Sequence, residues 1–218
     1  MGNRRKRYAM SRKKKNILLL MFFFFIVPAL VMIDRMGGVS LRHTVKRSLY
    51  DGDDWKKYHD QSFPVAKIID GDTIDLAIPD GTYQTTRVRL LGVDTPETKN
   101  PNTGVMYFGP EASEFTRRLC ENQQVTVLLD TVAEQRDRYG RLLAHIRLPD
   151  GSILGQQLIA EGCGYADLRF EHSLYDQYAQ LQEQAIEKKR GLWAGVSRSQ
   201  LPEWLRKRRP DLLRVSEK

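Results

Sequence analysis

The chain has 218 residues, 41% hydrophobic and 28% charged, with 35 Lys+Arg against 27 Asp+Glu and a formal charge of +8. That length suits one ordinary domain with appendages, and the apolar content excludes collagen-like, coiled-coil and disordered classes. Two cysteines exclude a disulfide-built scaffold and a four-cysteine zinc site.

The positive charge sits at the two ends. Residues 1–16 carry eight basic groups and no acid, and residues 198–218 are also basic, which leaves the middle mildly acidic. Net charge alone therefore does not mark the central part as a nucleic-acid binder. The basic arm, 1–16, runs into the uncharged segment 17–33. As a helix that segment would span roughly 25 Å, the short end of a membrane crossing. It is longer than the apolar region of a cleaved signal peptide. It also ends in Val31-Met32-Ile33-Asp34-Arg35, without a small-x-small cleavage step, so an uncleaved transmembrane signal anchor is expected. More basic groups precede the segment than follow it. The N-terminus is then cytoplasmic, and the rest of a single-pass membrane protein faces the cell surface or periplasm.

Residues 34–62 read as a polar spacer with Gly37-Gly38 and the Asp51-Gly52-Asp53-Asp54 turn cluster. Strands are expected at 65–69 and 73–78, on either side of Asp70-Gly71-Asp72. Pro79-Asp80-Gly81 signals a hairpin into a strand at 83–91. Residues 98–109 read as a loop. Pro110 suits the first turn of a helix, whose apolar stripe is Ala112, Phe115 and Leu119. Strands follow at 125–129 and 141–148. A helix at 153–161 stops at Gly162, and a last helix carries Leu174, Tyr178, Leu181 and Ala185. Five short strands with three helices predict an α+β fold, a five-stranded Greek-key barrel of the OB-fold type over residues 63–195. Residues 196–218 form a basic tail with Trp204, whose contacts the sequence leaves open.

Three clusters carry chemistry. Asp70-Gly71-Asp72-Thr73 lies in a tight turn between strands. Arg89-Leu90-Leu91-Gly92-Val93-Asp94-Thr95-Pro96-Glu97 sets a cation at a strand end and then two carboxylates three residues apart. Arg136-Asp137-Arg138-Tyr139-Gly140-Arg141 precedes another strand. Taken singly, each has an ordinary reading as a turn or a surface ion pair. Together they form a consistent device. A hard divalent cation takes several oxygen ligands, and arginine's planar fork matches a phosphate. A cation with two arginines can stabilise the charge that develops in phosphodiester hydrolysis.

Over residues 65–193 the chain resembles the staphylococcal nuclease (thermonuclease) family. The resemblance rests on D-G-D-T at 70–73, R-V-R-L-L-G-V-D-T-P-E at 87–97, G-P-E-A at 109–112, D-R-Y-G-R at 137–141 and G-L-W at 191–193, in the same order and spacing. It implies an OB-type barrel with three helices. It also implies a calcium-dependent nuclease acting on DNA and RNA with little sequence preference and leaving 3′-phosphates. Carried over by motif, Asp72 and Asp94 are side-chain ligands of calcium, and Thr95 is a ligand through its carbonyl. Glu97 orients or deprotonates the attacking water. Arg89 and Arg141 hold the scissile phosphate, and Tyr139 lies near the nucleotide. Asp70 is assigned a structural part. The chain departs from the family pattern at Thr103, where a lysine is usual, and at Leu168 and Phe170, where tyrosines flank the base. Phe170 keeps a surface for stacking, whereas Leu168 does not.

Cys120 and Cys163 fall at apolar core positions of the family, so two buried thiols are expected rather than a disulfide. The four histidines show no metal-ligand spacing, and His145, inside a strand, reads as structural. Tyr175 and Tyr178 read as helix packing. The competing reading of the whole chain is a membrane-tethered, non-catalytic nucleic-acid- or protein-binding module of the same fold. A degenerate module is expected to have lost a ligand or an arginine, and none is missing.

Overall fold

Glycine, proline and aspartate turns divide the central chain into short strands, and the strands close on themselves. The structure, a computed structural model, describes residues 54–98 and 104–213, all within the compact unit Gly52–Lys218. The expected anchor at 17–33, the basic arm and Thr103 lie outside the described residues. Among the described residues no helix is long and apolar enough to cross a membrane.

Strands β1 (Gln61–Ile68), β2 (Thr73–Leu76), β3 (Thr86–Leu90), β5 (Gln124–Leu128) and β6 (Leu142–Arg147) form a closed barrel in the order β1-β2-β3-β6-β5. Its pairings are antiparallel except β3 with β6, which run parallel with Arg89 opposite Leu143. This is the five-stranded Greek-key barrel that the sequence predicts. A register shift between Val65 and Lys67 bends β1 so that it pairs with both β2 and β5. A second, two-stranded ribbon joins β4 (Val93–Asp94) to β7 (Tyr165–Ala166). At two residues each, these strands are too short to show a period in sequence.

The three expected helices are α2 (Gly109–Cys120), α3 (Leu154–Ala160) and α4 (Tyr175–Glu187). They cover the barrel with Ala112, Leu158, Ile159 and Tyr178 buried in one core with Ile74, Val88 and Ile146. Cys120 and Cys163 are free and buried in that core, as expected. Burial raises their thiol pKa values to about 12 and about 11, with nearby Glu161 adding to the second. Both are inert thiols.

Two expectations are corrected, and one question left open is answered. Residues 54–62, read as spacer, belong to the folded unit: helix α1 (Asp54–Tyr58) precedes β1, and Tyr58 is fully buried with its hydroxyl 3.0 Å from Thr86 Oγ1. A five-residue helix carries too little periodicity to be seen in sequence. Tyr83, read as strand, is an exposed turn residue that bridges to Asp80. The tail also folds. Helix α5 (Glu203–Arg208) buries Leu205, and with Leu201, Leu192 and Tyr165 it forms a second apolar cluster.

Arg136 locks two edges of this fold. Its guanidinium makes paired hydrogen bonds to Asp54 (2.6 and 2.8 Å) and to Asp80 (2.7 and 3.0 Å), and its Nη1 also donates to Gly140 O. The side chain is 8% exposed, so removing it leaves two desolvated carboxylates without their cation. Arg136→Met is expected to cost about 3–5 kcal/mol of stability. Urea denaturation measures this, and an unchanged midpoint would show that the lock is dispensable.

Candidate active site

The turn after β1 delivers Asp72, and Gly71 lets it approach the strand opposite. A Cβ on Gly71 would lie 2.8–2.9 Å from the Thr95 side chain. Asp72 Oδ2 accepts from Thr95 N (2.7 Å) and Thr95 Oγ1 (3.0 Å), while Oδ1 accepts from Thr73 Oγ1 (3.0 Å). The turn that carries Thr95 is thereby pinned to the start of β2.

Arg89, near the end of β3, inserts between the two aspartates. Its Nη1 lies 2.9 Å from Asp72 Oδ2 and donates to Val93 O at 2.6 Å. Its Nη2 donates to Asp94 Oδ1 at 2.8 Å. Burial opposes the charge on Arg89, but Asp72 and Asp94 outweigh it and raise the guanidinium pKa. Arginine has five N–H groups. Three are used here, which leaves the Nε edge for a further acceptor.

The carboxylates themselves are crowded. Burial, and then the charge of Asp72, push the Asp70 pKa up to about 7, and burial raises that of Asp94 despite the neighbouring Arg89. Asp70 thus sits within the cluster as well as in the turn, where it accepts from Asp72 N at 3.2 Å. Asp167 is bound by Arg169 through two bonds of 2.7 Å, and Arg169 Nη2 lies 3.9 Å from Asp94. With all four carboxyl groups ionised, the two guanidiniums would leave two negative charges unbalanced. All their donor atoms are oxygen, the set that suits a hard divalent cation.

Glu97 follows this turn. Its Oε1 accepts from Thr98 N at 2.9 Å, and its carbonyl accepts from Met106 N at 2.8 Å. Helix α2 starts directly against it, because Gly109 has no Cβ. One placed there would lie 2.9 Å from Glu97 O.

On its other side Arg89 opens into a cleft of about 850 Å³, lined also by Arg138, Tyr139, Arg141, Arg169 and Phe170. Arg141 is held by Asp137, whose Oδ2 accepts its Nε at 2.7 Å while Oδ1 accepts its backbone N–H. Gly140, at φ +83°, makes that loop possible. Tyr139 and Phe170 are 68% and 60% exposed, which is unusual for aromatic residues and suits them to stacking. Leu168 packs on the core instead. The structure thus brings Asp72, Asp94 and Thr95 together at one end of Arg89. It places Arg141, Tyr139 and Phe170 along the cleft at the other end. Among the residues expected from sequence, Arg89 belongs to both groups.

Sequence reasoning missed Trp204 and Arg169. The Trp204 indole donates from Nε1 to Asp94 Oδ2 at 2.8 Å. The Arg169 guanidinium lies over the Trp204 ring at 4.5 Å. A tryptophan among basic residues was the one signal available, and it did not name a partner 110 positions away.

A family model for staphylococcal nuclease homologues matches residues 87–195. A thermonuclease of Staphylococcus hyicus is 39% identical over 137 residues, covering 62% of this chain and 78% of that protein. A thermonuclease of Staphylococcus intermedius is 40% identical over 134 residues, covering 61% and 76%. An endonuclease of Bacillus subtilis, YncB, is 35% identical over 130 residues, covering 59% of each.

Replacing Trp204 with phenylalanine keeps the ring and removes the donor to Asp94. A hydrogen bond to a charged group contributes about 1.5–3 kcal/mol, so Trp204→Phe is expected to lose that much in a denaturant titration. A variant as stable as the parent would mean that the contact does not hold Asp94.

Proposed function

This chain belongs to the staphylococcal nuclease family, and we propose that it is a calcium-dependent nuclease of DNA and RNA, with little sequence preference and 3′-phosphate products. The observation that carries the proposal is the position of Arg89. One guanidinium is clamped by the carboxylates on one side and open to a substrate-sized cleft on the other. Asp72, Asp94 and the Thr95 carbonyl would hold calcium, for which the oxygen-only donors and the excess negative charge fit. When bound, the ion supplies a positive charge for the phosphate oxygens and lowers the pKa of water.

The chain's own groups do the rest. Arg89 donates from its remaining N–H edge to the scissile phosphate. Because its other donors are fixed, it needs no reorganisation as charge builds on that phosphate. Arg141, oriented through Nε by Asp137, offers its terminal nitrogens to the same phosphate and to the leaving oxygen. Glu97 orients the attacking water and takes its proton. Tyr139 and Phe170 stack on bases, a contact indifferent to sequence because every base has a π-face. The basic arm and the segment 17–33 anchor the protein with this domain outside the cytoplasm, where calcium is plentiful. Protease added to intact cells should then cut the domain, and full protection would refute that orientation.

The full chain should degrade single-stranded DNA when calcium is added and stop when a chelator is added. A folded sample that never cleaves would favour the non-catalytic module. Glu97→Gln should lower kcat by about 10²–10⁴-fold with little change in substrate binding, since proton transfer matters in the transition state. Wild-type kcat in that variant would remove Glu97 from its role. Arg89→Lys keeps the charge and loses the fork, so it should lose about 10²–10³-fold in kcat at a circular-dichroism spectrum like the parent's. Full activity would show that charge alone suffices.

A further inference from the structure

Three buried groups that the proposed reaction does not use converge within the domain. Asp130 follows β5, His145 lies within β6, and His172 lies in the segment between β7 and α4. They are 6%, 5% and 4% exposed. One donor atom from each lies within 4.8 Å of the other two. His145 Nε2 and Asp130 Oδ2 are 3.3 Å apart. Two ligands at about 2.0–2.1 Å from a tetrahedral zinc ion stand about 3.3–3.4 Å apart.

His172 is the informative residue. Neither of its ring nitrogens has a hydrogen-bond partner among the described residues, and both are buried. A buried polar atom without a partner costs about 1–3 kcal/mol, and a neutral imidazole nitrogen is a ready metal ligand. The ring is also accommodated by design of the backbone, because a Cβ on Gly92 would lie 2.2 Å from His172 Nε2.

The surrounding groups resemble the outer shell of a metal site. His145 Nδ1 lies 3.0 Å from Tyr178 OH, which fixes the ring and directs Nε2 to Asp130. Asp130 is oriented by Val132 N and Ala133 N on Oδ1, and by Ser173 N and Ser173 Oγ on Oδ2. Burial lowers the pKa of both histidines, that of His145 to about 4, so both are neutral at pH 7. Two nitrogens and one carboxylate oxygen suit a borderline ion such as Zn²⁺ and are a poor set for calcium.

We propose that Asp130, His145 and His172 bind a zinc-class divalent ion at a site separate from the carboxylate cluster around Arg89. The ion replaces the hydrogen bond between His145 Nε2 and Asp130 Oδ2, the ring's single N–H then sitting on Nδ1 and donating to Tyr178 OH, and it gives His172 its missing partner. It ties the end of β5, β6 and the segment before α4 together. That segment is already joined to the Gly92 turn, since Asp167 N donates to Gly92 O at 2.8 Å. The bound ion therefore braces the turn that leads to Asp94.

The test uses the full chain without a histidine tag, stripped with chelator and then held in saturating calcium so that oxygen-only sites are filled. Titration with Zn²⁺ should show one ion bound per chain and a rise in melting temperature. Co²⁺ in its place should give the strong visible absorption of a four-coordinate site. His172→Asn should weaken zinc binding by at least the about 10–100-fold that loss of an outer-shell partner costs. Absence of zinc binding by the parent, or equal binding by parent and His172→Asn, overturns the proposal. Should His172→Asn fail to fold, ring ¹⁵N resonances of the parent decide. Those of His145 and His172 should move on zinc addition, and unmoved resonances overturn the proposal.

Discussion

A guanidinium buried between two carboxylates is the constraint around which this end of the barrel is organised. Desolvating Arg89 is tolerable only because Asp72 and Asp94 meet it on two sides. Each aspartate in turn fixes a different piece of chain. Asp72 holds the Thr95 turn through two hydrogen bonds, and Asp94 holds the tail through Trp204. The same pairings set the direction in which the unused edge of Arg89 faces. Stability and proposed chemistry therefore draw on one set of contacts, and the position of the arginine is over-determined before any substrate arrives.

The barrel contributes what loops alone could not. Arg89 is on β3 and Arg141 immediately precedes β6, and these two strands pair in parallel with Arg89 opposite Leu143. Arg89 on one strand and Arg141 at the entrance to its neighbour are thus held close, and Asp137 fixes the second through its own loop. Exposed aromatic residues at 139 and 170 come from two loops on that scaffold. Strands carry Arg89 and Asp94, turns joined to them carry Asp72 and Arg141, and the loops carry the aromatic parts that must adapt to different bases.

The barrel was legible in the sequence because its punctuation is local. Asp70-Gly71-Asp72, Pro79-Asp80-Gly81 and Pro149-Asp150-Gly151 break the chain where the strands end, and three helices show apolar stripes. The cluster of Asp72, Arg89 and Asp94 was legible for a similar reason, since its members lie in short, ordered motifs. What stayed hidden depends on distance or on brevity. Helix α1 has five residues, and β4 and β7 have two each, so none shows a period. Arg136 opens the charged run 136–141, yet its guanidinium meets Asp54 and Asp80, 82 and 56 positions away. The meeting of His172 with His145 and Asp130 likewise has no spacing signal, because one strand and two loops bring the three together from separate parts of the chain.

The tail contact bears on the order in which the site is completed during synthesis. Asp94 and Trp204 are separated by 110 residues, and every barrel strand lies upstream of the tryptophan. A growing chain has made the whole barrel before the indole that steadies Asp94 exists. The last protein contact to this carboxylate is added by helix α5, so a chain interrupted just before that helix carries the cleft with one of its carboxylates less firmly placed. Vectorial synthesis thus separates the making of the scaffold from the setting of the site.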